Sequence, residues 1–260
     1  MRRLSPKLKT LLTIAGFDPS SGAGVTLDLK IFRALGFYGA AAVTAITVQN
    51  SREAERIHPL SGRLLADQVR ALSRDITFAG IKVGMAATAE NVKVIARVLA
   101  AHDRIPRVID PVFRASSGVR LLEKPAIGGF LRAVRGKATV LTPNIDEAGI
   151  LSGRRVRDLK TMADAARVIY ERSRIPCLVK GGHLEGDAVN VLFDGRRMVL
   201  FGKPRVRKDV HGTGCVFSAA LLCQLALGRP LEKAAALATD FTHDAIREAV
   251  RAGRGRAVVI

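Results

Sequence analysis

Toward the C-terminal third of this 260-residue chain, His211-Gly212-Thr213-Gly214-Cys215 leads into an apolar run that begins near Val216 and reads as a helix. Glycines let backbone amides converge, and a helix N-terminus adds partial positive charge, so the segment suits an anion. Phosphoryl transfer needs such donors around the moving group. A cysteine placed there is expected to have its thiol pKa drawn below about 8.5, which makes Cys215 a candidate base for a substrate hydroxyl. The competing reading is a glycine-softened helix start carrying a small buried cysteine. The other cysteines lack this context: Cys177 opens a predicted core strand, and Cys223 falls within the helix among Leu221, Leu222 and Leu225.

Other segments carry polar groups at suggestive spacing. Asn144-Ile145-Asp146-Glu147 follows Thr142-Pro143 and puts an amide and a carboxylate on one helix face. Such a pair can orient waters around Mg²⁺ near nucleotide phosphates, or it can be ordinary capping with Asn144 as N-cap and Glu147 three residues on. Lys180-Gly181-Gly182-His183 offers a cation with glycines that permit close approach, or else a turn with a solvated lysine. Gly16 to Gly24 is glycine-rich between a strand and a helix, yet it fits neither GxGxxG nor GxxxxGK[ST]. Asp28 falls in the first turn of the following helix, where it faces a ligand or complements the helix dipole.

These segments need a scaffold that brings them together. Strands are predicted at Lys9 to Ala15, Gly39 to Thr47, Ala79 to Val83, Arg107 to Asp110, Ala138 to Thr142 and Pro176 to Lys180. Helical spacing follows Gly24 and recurs near Arg63 to Ser73, Ala89 to Ala101 and Leu159 to Glu171. Ala188 to Phe193, Asp194-Gly195 and Arg196 to Phe201 read as a β-hairpin with a tight two-residue turn. Helices over Gly214 to Leu227 and Leu231 to Val250 close the chain. Continuous apolar strands alternating with amphipathic helices predict an α/β fold with a mainly parallel sheet covered on both faces. Ligands of such sheets sit beyond the carboxyl ends of the strands. Gly16-Phe17-Asp18, Gln49-Asn50, Lys82 to Met85, Asp110-Pro111-Val112, Thr142 to Asn144 and Lys180 to His183 all fall there. Without a low-complexity linker or an internal repeat, the expectation is a single domain over 1–260.

Composition removes several classes. No apolar run reaches the roughly 20 residues of a membrane span, and the N-terminus lacks the h-region of a secretory signal, so a cytoplasmic protein is expected. The three cysteines form no CxxC pair or metal spacing. The net charge of +19 raises nucleic acid or polyanionic substrates as partners. The basic residues are scattered and aromatics are only 5% with no Trp, so a solvated Arg-rich surface is favoured over nucleic-acid binding.

The order of the segments is more specific than any one of them. Thr13 to Gly24, Asp28-Leu29-Lys30, Thr44 to Asn50, Lys82 to Met85, Asp110 to Val112, Thr142 to Asn144, Val179 to His183 and His211 to Cys215 resemble the successive motifs of the hydroxymethylpyrimidine/phosphomethylpyrimidine kinases. The resemblance runs from about Leu11 to Arg247. It implies a ribokinase-like three-layer sandwich with a mainly parallel central sheet and a small β-hairpin element, an enzyme using ATP and Mg²⁺, and a homodimer. The reaction implied is phosphorylation of 4-amino-5-hydroxymethyl-2-methylpyrimidine, then of its monophosphate to the diphosphate, in thiamin biosynthesis. Carried over by motif, Cys215 is catalytic with Gly212, Thr213 and Gly214 as anion hole. Asp28, Gln49, Gly16, Met85 and Val112 bind substrate; Lys180, Asn144 and Asp110 bind the nucleotide; Glu147 holds the metal through water.

This chain departs from that pattern at Phe17, where Ser is usual, and at Ser21, where Gly is usual. Asp209-Val210 replaces Asn-Thr, and Val119 stands where an acidic residue is often found. These bear on efficiency and substrate range. Pyridoxal, a heteroaromatic ring with its own hydroxymethyl group, is the nearest rival substrate; Gln49 and Asp28 favour the aminopyrimidine. A catalytically weak ligand-binding or nucleic-acid-binding relative is the rival from another class.

Overall fold

The computed structural model describes residues 8–115, 118–182 and 186–260. Its parallel strands are β1 (Thr10–Phe17), β2 (Tyr38–Gln49), β4 (Phe78–Val83), β5 (Arg107–Ile109), β6 (Val140–Leu141) and β7 (Cys177–Val179). β3 (Ala54–Pro59), β8 (Ala188–Phe193) and β9 (Met198–Lys203) pair antiparallel with their neighbours. Together they form one sheet in the order β3-β2-β1-β4-β5-β6-β7-β8-β9. The chain leaves β1 toward β2, then returns to its other side at β4. The switch point therefore lies between β1 and β4, and a crevice opens at their carboxyl ends.

Strand side chains alternate between two apolar layers. Leu12 and Ile14 of β1, Ile109 of β5 and Leu141 of β6 join one core with α2 (Gly62–Asp75), α3 (Ala89–Ala101), α4 (Lys124–Val134), α5 (Ile145–Ser152) and α6 (Leu159–Ser173). Leu11, Val108 and Val140 turn the other way, onto α1 (Gly24–Ala34), α7 (Thr213–Ala226) and α8 (Leu231–Glu248). From Val216 to Ala226 α7 is buried on every side, which is why its sequence lacks a polar face. Among the described residues, no helix is long and apolar enough to cross a membrane.

The predicted α/β fold is present, with differences that have local causes. β3 was not expected: it is an edge strand whose residues are mostly exposed, so it carries no apolar alternation. The tight two-residue turn expected at Asp194-Gly195 is instead a four-residue connection, 194–197. There Asp194 Oδ1 accepts from the amides of Arg196 and Arg197 at 2.8 Å each, and Gly195 takes a φ of 100°. β6 and β7 are shorter than the apolar runs that predicted them, although Thr142 N still donates to Ile109 O at 2.9 Å and Lys180 N to Pro143 O at 2.8 Å beyond them.

Candidate active site

Several segments converge at the carboxyl edge. Gly212 caps α7 with a φ of 79°, a left-handed conformation that glycine adopts without strain. A side chain there would also strike Gly22 O, 2.0 Å from an added Cβ, so the β1–α1 loop rests directly on the turn. The first amides of α7, on Thr213, Gly214 and Cys215, have no partner within the helix and face out from its positive end.

Lys180, just past β7, stands over this helix end. Its Nζ lies 2.9 Å from where a Cβ on Gly214 would stand, so only glycine admits the ammonium over the helix end. Asp110, just past β5, pairs with Lys180 at 2.6 Å and accepts from Ser218 at 3.2 Å and Thr142 at 3.4 Å. Burial alone would pull the Lys180 ammonium down; the Asp110 and Glu147 carboxylates outweigh it and keep it charged. Sequence reasoning singled out Thr142 only within the segment past its strand and gave Ser218 no role; Ser218 is an isolated hydroxyl in the apolar run of α7, which is the signal that could have found it.

Asn144 and Glu147 form a full capping box at the start of α5. Asn144 Oδ1 accepts from the Glu147 amide at 2.9 Å, and Glu147 Oε2 accepts from the Asn144 amide at 2.8 Å. Capping and function are not exclusive here, because the cap aims Glu147 toward Lys180 and Asp110. Burial pushes the Glu147 carboxyl up to about 8; Lys180 opposes the shift, and the Asp110 charge adds to it. Among the described residues no group of three or more His, Cys, Asp or Glu could hold a metal by itself. Two carboxylates beside an anion site nevertheless suit Mg²⁺, which commonly arrives on phosphates and keeps much of its water.

The floor of the crevice is charged and closed. Asp28 is 0% exposed; Lys82 donates to both its oxygens at 2.8 Å, and Thr13 Oγ1 donates at 2.6 Å. The Asp28 carboxylate is thus engaged inside the protein by Lys82 and Thr13. Lys82 was expected only as part of a segment past a strand. Its place as the one charged residue in the apolar β4 was the sequence sign of a buried pair.

Cys215 stands at the third residue of α7, partly buried, and its thiol departs from expectation. Burial pushes it up; the Lys82 ammonium opposes, while the Asp28 and Asp110 carboxylates reinforce the rise. The lowered pKa expected from the helix N-terminus is therefore corrected. Burial and the two carboxylates raise it against the Lys82 ammonium and a backbone hydrogen bond at Gly24.

Gln49, at the end of β2, joins Asp18 and His211 in a cluster absent from the sequence reading. Gln49 Nε2 donates to Asp18 Oδ2 at 3.2 Å and lies 2.8 Å from His211 Nε2, which is 3.2 Å from the same Asp18 oxygen. Its Oε1 has no partner among the described residues and remains open to a donor. An apolar wall stands beside it: Met85 packs with Ala45, Ala87 and Leu121, and Val112 packs against them. Gly16 belongs to that wall by what it lacks, since a Cβ there would lie 2.1 Å from Met85 Cε.

The departures resolve unevenly. Phe17 is 36% exposed at the crevice mouth. Ser21 takes a φ of 59°, which explains why glycine suits that position. The Val119 carbonyl accepts from Ala115 N at 2.8 Å. His183, Ser116 and Ser117 lie outside the described residues.

Three comparisons bear on this geometry. Residues 18–259 match the family described as phosphomethylpyrimidine kinase. A hydroxymethylpyrimidine/phosphomethylpyrimidine kinase of Aquifex aeolicus is 36% identical over 247 residues, covering 94% of this chain and 96% of its own length. A thiamine biosynthesis bifunctional protein of Geobacter sulfurreducens is 40% identical over 96% of this chain, which spans about half (51%) of that longer protein. Among solved structures, a pyridoxal kinase from Staphylococcus aureus in complex with AMP-PCP superposes with a TM-score of 0.88 at 32% identity, covering 97% of this chain and 93% of that one.

Proposed function

The chain belongs to the phosphomethylpyrimidine kinase family, and from that premise we propose that it moves the γ-phosphoryl group of ATP onto the hydroxymethyl group of 4-amino-5-hydroxymethyl-2-methylpyrimidine. A second transfer then converts the monophosphate to the diphosphate, a step in thiamin biosynthesis. The observation that carries this reading is the placement of the Lys180 ammonium over the glycine-bounded end of α7, anchored at 2.6 Å to Asp110. Fixed donors around the transferring group lower the barrier by positioning and electrostatics, since the protein has little covalent work to do.

Each residue has a part in that scheme. The amides of Thr213, Gly214 and Cys215 and the Lys180 ammonium take the charge of the moving phosphoryl group. Asp110 and Glu147, the latter through water, would hold Mg²⁺, which when bound neutralises charge on the phosphates. Gln49 orients the ring through its open Oε1, which suits the exocyclic amine, and Met85 and Val112 cover the ring's faces. Asp28 acts through Lys82, whose ammonium opposes the burial of the Cys215 thiol. Cys215 acts as the thiolate, which takes the hydroxyl proton and becomes the thiol, and the Lys82 ammonium favours that thiolate against its burial.

The overlap with a pyridoxal kinase keeps pyridoxal as a second acceptor worth measuring. ATP turnover with the aminopyrimidine alcohol, its monophosphate and pyridoxal, assayed side by side, tests the assignment. The proposal expects both pyrimidines to be phosphorylated with higher kcat/KM than pyridoxal. A preference for pyridoxal, or no magnesium-dependent turnover of the pyrimidines, overturns it.

A further inference from the structure

Beside the catalytic edge, and not within it, lies a cleft of about 880 Å³. Six cations line it, Arg52, Arg207, Lys208, Arg251, Arg254 and Arg256, against the single carboxylate of Asp209. They come from three distant segments: the β2–β3 turn, the run that leads into the glycine turn of α7, and the C-terminal stretch after α8. None of Asp110, Asn144, Glu147, Lys180 or Gly212 to Gly214 lines this cleft.

The three segments are tied to one another through the backbone. Arg256 N donates to Ser51 O at 2.9 Å, and Gly255 N donates to Ser51 Oγ at 3.2 Å. Ala257 N donates to Asp209 O at 3.1 Å, and His211 N donates to Ala257 O at 2.8 Å. The cations are thus mounted on a common frame.

Internal partners consume little of this charge. Asp209 pairs with Arg256 at 3.1 Å, and Lys208 Nζ donates to Arg247 O at 2.8 Å. Among the described residues Arg52, Arg207, Arg251 and Arg254 pair with no carboxylate, and all are exposed. Gathering like charges around one concavity raises the energy of the folded chain, and an anion of matching charge removes that penalty. The volume lies within the range of small-molecule pockets, roughly 300–1,000 Å³. No aromatic side chain lines it, so stacking of nucleic-acid bases has no platform. Arginine forks match phosphate oxygens in pairs.

We propose that this cleft is a second anion site that takes an oligophosphate, a chain of linked phosphoryl groups either free or carried as an ester. The excess of cations calls for several negative charges, which a lone phosphate does not bring. Arg52 and Arg256 also line a small cavity that Gln49 and His211 share. The inference stands apart from the kinase reading, since it uses none of the residues assigned to transfer.

Calorimetric titration of the full chain with inorganic tripolyphosphate tests it, with AMP-PCP present in excess to fill the nucleotide site. Binding of one equivalent is expected, weakening as salt is raised. The Arg251→Gln/Arg254→Gln variant should weaken it by about tenfold or more, the worth of a charge-assisted hydrogen bond, while ATP turnover is retained. Arg52→Gln, from the opposite wall, provides an independent variant. A parallel titration with a nucleoside diphosphate distinguishes the sources: equal affinity marks the bare chain as the ligand, tighter binding marks the ester, and either result supports the site. Loss of binding when AMP-PCP is present, or affinity unchanged in both variants, overturns the proposal. Displacement of tripolyphosphate by a short single-stranded RNA that binds more tightly overturns the ligand class.

Discussion

Lys82 Nζ lies 2.8 Å from each carboxylate oxygen of Asp28, and both side chains are fully buried beneath Cys215. Burial alone pushes the Asp28 carboxyl up and draws the Lys82 ammonium down; each partner opposes the other's loss of charge. A pair of this kind is expensive to break and less expensive to replace. Asp28→Asn should destabilise the protein by about 3–5 kcal/mol, because an ammonium is left without a counter-charge in the core. Asp28→Leu combined with Lys82→Met should recover much of that loss. Denaturant melts of the three proteins provide the check. Recovery of stability without turnover would assign the pair to positioning the site.

Ser21 predicts a stabilising change. Its φ of 59° costs a residue bearing a Cβ about 1–2 kcal/mol relative to the right-handed region. Part of the gain from glycine is returned as extra freedom of the unfolded chain. Ser21→Gly should therefore raise stability by up to about 1 kcal/mol, seen as an increased Tm.

Glu147 gives the protein a pH dependence whose sign is fixed. Its carboxyl is held up from an ordinary 4.5 to about 8 in the folded state by burial. The folded chain thus binds the proton more tightly than the unfolded chain. The contribution is fully present below pH 4.5 and is lost as pH rises through about 8. Thermal melts of the nucleotide-free protein should show this decline, and Glu147→Gln should flatten it. The same variant should lower turnover and weaken its response to magnesium; a magnesium titration identical to the parent would remove Glu147 from the metal's surroundings.

How much of this was legible beforehand depends on whether a residue acts through local pattern or through distant contact. The apolar strands and the Asn144/Glu147 cap follow from neighbours in sequence, and the structure has both. The glycines at 212 and 214 were legible as a turn into a helix, although what crowds them, Gly22 O and Lys180 Nζ, comes from elsewhere in the chain. β3 was hidden because its partner β2, and not its own apolar content, makes it a strand. The Cys215 thiol was misjudged because the helix end is local while the opposing burial and the Asp28 and Asp110 charges arrive through folding. Asp18 and His211, 193 residues apart, meet only in the folded chain.

The central claim is that one site serves two acceptors and that Cys215 removes the proton only the alcohol carries. A phosphate monoester with a second pKa near 6 is already largely deprotonated at neutral pH and needs no base. The decisive measurement is single-turnover transfer from ATP by Cys215→Ala to the aminopyrimidine alcohol and, separately, to its monophosphate. The account predicts a loss of about 10²–10⁴-fold on the alcohol, with pyrimidine binding retained, and a loss within about tenfold on the monophosphate. Equal losses on both acceptors, or near-normal transfer to the alcohol, would contradict it.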